Sequence, residues 1–367
     1  MLWPFSELHA SASADMPYNL PAMTVTARSF AKINLGLRIG AVRADGFHEL
    51  LTVYQTIALH DIIRVTVSCG SGIEIHCADP RVPRDESNTC WRIVEKAMTA
   101  LQTKARVSIE IEKRLPVQGG LGGASANAVT TLLALERALE KTLPAAERLR
   151  LAAEVGSDLP LFLIGGTVLG VGRGEQVFPL EDFPATACVI VTPQVGVSTP
   201  NAFGQWDRLV SRAAGSPIAS KTKPRQIGRG NGPAHRPLPS ALTPLGASDR
   251  IAGLSREMSA WLSGSASGAP FRRGRAGNPL LALVRAGIKN DFEQVVFPDY
   301  PELSEGKCAL ERAGAKYASL SGSGSTLYGL FASKAAAAAA MKLRKQGWAA
   351  QATVTLARRQ YWSRIFK

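Results

Sequence analysis

The chain has 367 residues, 46% hydrophobic and 20% charged, enough for two domains that each bury a core. Its 43 lysines and arginines against 29 aspartates and glutamates give a net charge of +14. Residues 211–278 alone hold eleven basic and two acidic residues, so the remainder, 32 against 27, is charged like an ordinary enzyme. Five cysteines without a CxxC pair are too few for a disulfide scaffold and argue against structural zinc. No apolar run reaches the roughly 18 residues of a membrane span, and the N-terminus lacks the pattern of a secretory signal, so a reducing cytoplasm is the expected compartment.

Residues 1–22 carry three prolines and no periodicity, and read as a disordered leader or as the product of a start codon upstream of Met23. From Thr24 the run TVTARSFAKINLGLRI has the β-branched, alternating character of a strand. An Asp-Gly turn signal lies within 44–50. Further strands are expected at Leu51–Leu59, Ile62–Ser68 and Ile73–Cys77. Asn88 is placed to cap a helix that runs to about Leu101. Val107, Ile109 and Ile111 alternate with polar residues, a strand with one buried face. A glycine cluster follows Pro116, a helix begins near Ser125, and helical segments continue to about Val155. Gly156–Pro160 reads as a loop, and Thr167–Val171 and Ala187–Thr192 as strands.

Residues 211–278 are rich in Gly, Ser, Pro, Ala and Arg and read as a mostly disordered basic insertion, with a short helix around Ile251–Trp261. Beyond it come a helix at about 301–313, strands at Lys316–Leu320 and Thr326–Ala332, an Ala-rich helix at 333–346 and a last strand near Ala350–Thr355. That succession suits a small α+β second domain.

Four constellations carry chemistry. The loop 116–127, PVQGGLGGASAN, leaves backbone N–H groups uncovered ahead of a helix. It fits an anion site for a nucleotide phosphate, or a flexible strand-to-helix connection. It is not a Walker A, and no GxGxxG or HRD occurs in the chain. The loop SGSGS, 321–325, either brings backbone close to a ligand or makes a hairpin. Lys32 stands in an apolar strand-like run and Asp158 in a Gly-Ser-Asp-Leu-Pro loop. Together they could hold charge and accept a hydroxyl proton in phosphoryl transfer, and equally they read as a solvated edge lysine and a helix cap. Asp45-Gly46-Phe47-His48 is either a turn with an exposed ring or a platform on which a nucleobase stacks while the imidazole reads its edge. The basic 211–278 segment raises a different class, nucleic-acid binding, but only Trp261 and Phe271 interleave its arginines.

Taken in order over about 24–205 and 278–357, AKINLGLRIGAVRADGFHEL, PVQGGLGGASANAVTTLLAL, GSDLPLFLIGGTVLGVGRGE, NDFE (290–293) and LSGSGSTLYGLF resemble the GHMP kinases. The ADG-aromatic-His segment points to the branch that acts on a cytidine-diphosphate-linked methylerythritol, since the mevalonate and homoserine branches lack it. The resemblance implies an α+β, two-domain fold. A ribosomal-S5-like N-terminal domain would span 23–182, and a ferredoxin-like C-terminal domain 183–367, with the insertion 211–278 inside it. It implies an ATP-dependent phosphotransferase of the non-mevalonate isoprenoid pathway, with Mg²⁺ accompanying ATP. The implied ATP loop is Pro116-Val117-Gln118-Gly119-Gly120-Leu121-Gly122-Gly123-Ala124-Ser125-Ala126. Lys32 and Asp158 match the catalytic pair, Asn34 a substrate contact, and Phe47 and His48 the holders of the cytosine. Gly322-Ser323-Gly324-Ser325 would help close the site. Many members carry paired serines where this chain has Gly123 and Ala124, so no metal ligand is assigned. The expected partner is a small nucleotide substrate, with no membrane or specific nucleic acid, for a monomer or weak homodimer.

Overall fold

The computed structural model describes residues 22–213, 289–332 and 335–366. The expected leader, the helix at Ile251–Trp261 and nearly all of the basic insertion lie outside the described residues. Residues 211–213, assigned to the insertion from composition, are the end of a helix.

Strand β1 (Met23–Val42) and strand β2 (His48–Ser68) form one long antiparallel hairpin, paired from Met23↔Val67 to Val42↔His48. The turn closes through Gly46, whose N–H reaches Arg43 O at 3.1 Å and whose φ is +82°. The two strands expected at 51–59 and 62–68 are a single strand. The His60-Asp61 break in the apolar pattern is accommodated inside the ladder, with Asp61 fully buried opposite Ser29. Register shifts fall between Phe30 and Lys32 and between Asn34 and Gly36, so Lys32 and Asn34 lie between two irregularities that re-aim side chains.

On its other edge β2 pairs with β4 (Arg106–Glu112) and then with β5 (Thr167–Gly172). Strands β3 (Gly72–Cys77) and β6 (Gln176–Pro179) complete this first sheet. Helices α1 (Thr89–Ala100), α2 (Gly123–Ala138), α3 (Ala145–Val155) and α4 (Leu159–Ile164) belong to the same half. Asn88 caps α1 as expected, its side chain accepting from Cys90 N at 2.8 Å. The apolar run after Asp158 folds as α4, with Pro160 in its first turn, so Leu159 and Pro160 of the expected loop belong to this helix.

The second sheet is fully antiparallel, in the order β10 (Ala350–Val354), β7 (Ala187–Val191), β9 (Leu327–Phe331), β8 (Tyr317–Leu320). It is joined by α5 (Thr199–Ala213), α6 (Glu293–Asp299), α7 (Pro301–Arg312) and α8 (Ala335–Lys345). This strand order, with a crossover on each side of the β8–β9 hairpin, is the expected ferredoxin-like arrangement. A last helix, α9 (Arg358–Ile365), returns to the first half. Tyr361 Oη donates to Phe162 O at 2.7 Å, and Leu356, Tyr361 and Ile365 join the first core. By packing, therefore, this tail leaves the 183–367 unit in which the sequence places it. The elements α5, α6, β6 and α9 are not among those the sequence pattern predicts.

A third apolar cluster joins the two sheets. Ala31, Ile33, Leu35, Val53 and Ile57 of the hairpin meet Cys188, Ile190, Tyr328 and Leu330 of the second sheet, all buried. The apolar residues of FAKINLGL that make this contact fall on alternate positions, which puts Lys32 and Asn34 on the opposite face of the strand. The cluster also holds the cleft between the two halves to one geometry. None of the five cysteines is in a disulfide.

Candidate active site

The glycine loop runs from the end of β4 to the start of α2, and one buried carboxylate ties down both of its ends. Asp61 Oδ1 accepts from the N–H groups of Arg114 and Leu115, each at 2.7 Å. Its Oδ2 accepts from Lys113 Nζ at 2.6 Å and from Asn127 Nδ2, in the first turns of α2, at 3.0 Å. Gln118, Gly120 and Gly122 of the loop have positive φ. Helix α2 begins at Gly123 with no side-chain cap, so its first N–H groups are available to an anion. Beside the loop lies a cavity of about 370 Å³, also lined by Asn88, Thr89 and Lys113.

The two glycine loops lie against each other. Ser321 Oγ donates to Gly120 O at 2.9 Å, and Thr326 N to Gly119 O at 3.2 Å. A Cβ on Gly120 would stand 2.2 Å from Ser321 O, so only glycine allows this approach. Asn290 fixes the second loop from behind, its Nδ2 donating to Leu320 O (2.9 Å) and Gly322 O (2.7 Å). The rest of the NDFE run supports the same region. Asp291 accepts from Ile39 N at 3.0 Å, and Glu293 from Ser319 Oγ at 2.7 Å and Leu320 N at 2.9 Å.

Lys32 stands where these parts meet. It is 3% exposed, and a buried ammonium needs partners. Its backbone N–H donates to Leu121 O of the glycine loop at 3.0 Å. Its Nζ donates to Asn34 Oδ1 at 2.7 Å and lies 3.3 Å from Asp158 Oδ2 and 5.5 Å from the centre of the Tyr54 ring. Asn34 is held in that orientation because its Nδ2 donates to Thr52 Oγ1 (2.8 Å), which in turn donates to Gly36 O (2.8 Å). Asp158, at the start of α4, keeps one third of its side chain open and accepts from Tyr54 Oη at 3.0 Å. Burial and the Asp158 charge push the Tyr54 hydroxyl well above its ordinary value of 10.0, so it remains a donor. The tip of the second loop reaches the pair. A Cβ on Gly322 would lie 3.6 Å from Asn34 Oδ1 and 3.7 Å from Lys32 Nζ. The arrangement offers an open carboxylate able to take a hydroxyl proton, beside a fixed cation, at the junction of two backbone loops.

Phe47 and His48 face different neighbours, as successive residues at a strand end do. Phe47 is 53% exposed, with the Arg173 guanidinium 5.0 Å above its ring. His48 is buried. Its ring stacks on Phe203 of α5 at 4.8 Å and 12°, and its Nε2 lies 2.7 Å from Asp207 Oδ1. The structure thus gathers Lys32, Asn34, Asp158 and both loops, and sets His48 against α5 and Phe47 beneath Arg173. Sequence reasoning missed Tyr54, Thr52, Asp61, Phe203 and Asp207. For the last two, Thr199-Pro200 followed by Ala202 and Trp206 at helical spacing was the available signal.

Family models for the N-terminal and C-terminal domains of GHMP kinases match residues 88–166 and 277–347. A curated protein of Solibacter usitatus named 4-diphosphocytidyl-2-C-methyl-D-erythritol kinase is 33% identical over 316 residues, 86% of this chain and 84% of that protein. One of the same name from Heliobacterium modesticaldum is 34% identical over 88% of this chain and 90% of its own length. A crystal structure of 4-(cytidine 5'-diphospho)-2C-methyl-D-erythritol kinase superposes with a TM-score of 0.62 at 26% identity, covering 90% of this chain and 98% of that one. A homoserine kinase from Cytophaga hutchinsonii shares the fold, with a TM-score of 0.60 at 20% identity. The loop geometry, the two-sheet architecture and these relatives agree, and the chain belongs to the 4-diphosphocytidyl-2-C-methyl-D-erythritol kinase family of the GHMP kinases.

Proposed function

We propose that the chain transfers the γ-phosphoryl group of ATP to the 2-hydroxyl of 4-diphosphocytidyl-2-C-methyl-D-erythritol, a step of non-mevalonate isoprenoid precursor synthesis. The observation that carries this reading is the pair of buried Lys32 and partly open Asp158 at the junction of the two glycine loops. ATP lies along 116–126, with its phosphates on the loop N–H groups and the start of α2, and its nucleoside in the adjoining cavity. Asp158 takes the hydroxyl proton, Lys32 balances the developing charge, and Asn34 positions the alcohol. Gly322–Ser325 cover the reacting groups, and Phe47 and His48 hold the cytosine. Positioning and electrostatics supply most of the acceleration in such a transfer.

Among the described residues no three acidic, histidine or cysteine side chains gather to hold a metal. That suits Mg²⁺ carried by the phosphates and water of the nucleotide, where it would neutralise phosphate charge. No helix among the described residues is long and apolar enough to cross a membrane.

The test is ATP consumption with the cytidyl substrate against mevalonate, homoserine and methylerythritol lacking its cytidyl group. Turnover confined to the cytidyl substrate is expected. Equal or better turnover of another alcohol overturns the substrate assignment.

A further inference from the structure

We propose that Asp207 of α5 is a positioning residue that makes the site read cytosine in preference to uracil, by fixing which ring nitrogen of His48 carries the proton. The proposal rests on the assignment of His48 to the base-binding end of the cleft. A carboxylate only accepts hydrogen bonds, so its 2.7 Å approach places a proton on His48 Nε2. In the neutral imidazole the other nitrogen, Nδ1, then presents a lone pair. Nδ1 makes no hydrogen bond to any described residue. The ring is kept from turning by its stack on Phe203, which is itself wedged edge-on against Phe292 at 5.0 Å and 75°. His48 is therefore an oriented acceptor.

The pairing edge of cytosine carries one donor, the 4-amino group, while N3 and O2 accept. An acceptor held at a fixed place selects that amino group. A uracil in the same pose brings O4 against Nδ1, lone pair to lone pair. Leaving such groups unmatched in a largely buried site costs roughly tenfold or more in affinity. Asp207 does not need to touch the base to exert this selection. It acts as the second partner of a histidine does elsewhere, by setting the tautomer. Its side chain is 49% exposed, so the hydrogen bond to His48 adds little to folding.

The experiment is steady-state kinetics of the full chain with 4-diphosphocytidyl- and 4-diphosphouridyl-2-C-methyl-D-erythritol, for the wild type and for Asp207→Asn, Asp207→Ala and Asp207→Glu. The wild type should favour the cytidyl substrate about tenfold or more in kcat/KM. In Asp207→Asn the amide can donate to Nε2 and move the proton to Nδ1, so the preference should fall about tenfold or invert. Asp207→Ala should erode it, and Asp207→Glu should restore it. The change should lie in the KM of the alcohol, with the KM of ATP unmoved. An unchanged cytidyl-to-uridyl ratio in Asp207→Asn overturns the proposal. So does an equal loss on both substrates, which would mark the pair as a structural strut. A wild type inactive on the cytidyl substrate would instead remove the functional reading beneath it.

Discussion

At the glycine-loop end of the proposed site, Lys32 is 3% exposed and bonded through both its backbone and its side chain. At the hairpin-tip end, proposed to hold the base, Phe47 is 53% exposed, and His48 depends on two side chains of a helix from the other half of the molecule. The first end is built from backbone loops clamped by buried polar groups, Asp61 and Asn290. The second is built from side chains on a hairpin tip and a surface helix. Electrostatic work on a transferring phosphoryl group needs donors that do not reorganise, and backbone N–H groups held by a buried carboxylate meet that need. Recognition of a base needs only an edge and a ring face, which side chains provide. Losses at the first end should therefore appear in kcat or in folding, and losses at the second in KM.

The largest effect should come from Asp158→Asn, which leaves the geometry near Lys32 but removes the proton acceptor. Turnover should fall by roughly 10²–10⁴ in a single-turnover assay, and near-normal turnover would sink the assignment of Asp158. Next is Asp61→Ala, which strands the Lys113 ammonium and three further donors in a fully buried place. A loss of about 3–5 kcal/mol in denaturant unfolding is expected, as for breaking a buried ion pair. A loss under about 1 kcal/mol, the worth of a surface pair, would show that the loop does not hang on this carboxylate. His48→Ala should raise the KM of the alcohol about tenfold with kcat kept, since it removes base contacts alone. A fall in kcat without a change in KM would erase the distinction between the two ends.

The smallest effect concerns pH. The Tyr54 hydroxyl is raised above its ordinary value of 10.0, mainly by burial. A raised value means that its contribution to stability is whole below about pH 10 and falls only as the pH climbs toward the folded-state value. Tyr54 should therefore leave activity flat across the neutral range. Tyr54→Phe, compared with the wild type from pH 6 to pH 9, should change the level of kcat but not the shape of its profile. A basic limb that disappears in the variant would contradict this.

Much of the glycine-loop end of the proposed site was legible from the residues. Four glycines between a strand and a helix, and a lysine in an apolar run, are unusual enough locally to point to a site. The fold class followed from strand and helix patterns together with the resemblance. The hairpin-tip end was only half legible. Phe47 and His48 stand out beside an Asp-Gly turn, as a plain turn or as one platform, and only the structure sets Arg173 over Phe47 and Phe203 on His48. Asp61 escaped notice because a carboxylate in a strand reads as a solvent-facing break. Only the fold shows that residues 113–115 and Asn127 converge on it.

By itself, then, the sequence determined the local chemistry: where backbone is bare, where charge sits in apolar surroundings, and which turns admit glycine. These are short-range properties, set by residue type and spacing. Tertiary structure decided the partnerships: Lys32 with Asp158, Gly120 against Ser321, Asp61 across both ends of the loop, Asp207 on His48. Each joins residues between 52 and 201 positions apart. Only the packing of the hairpin between its helices and the second sheet brings them within hydrogen-bond distance.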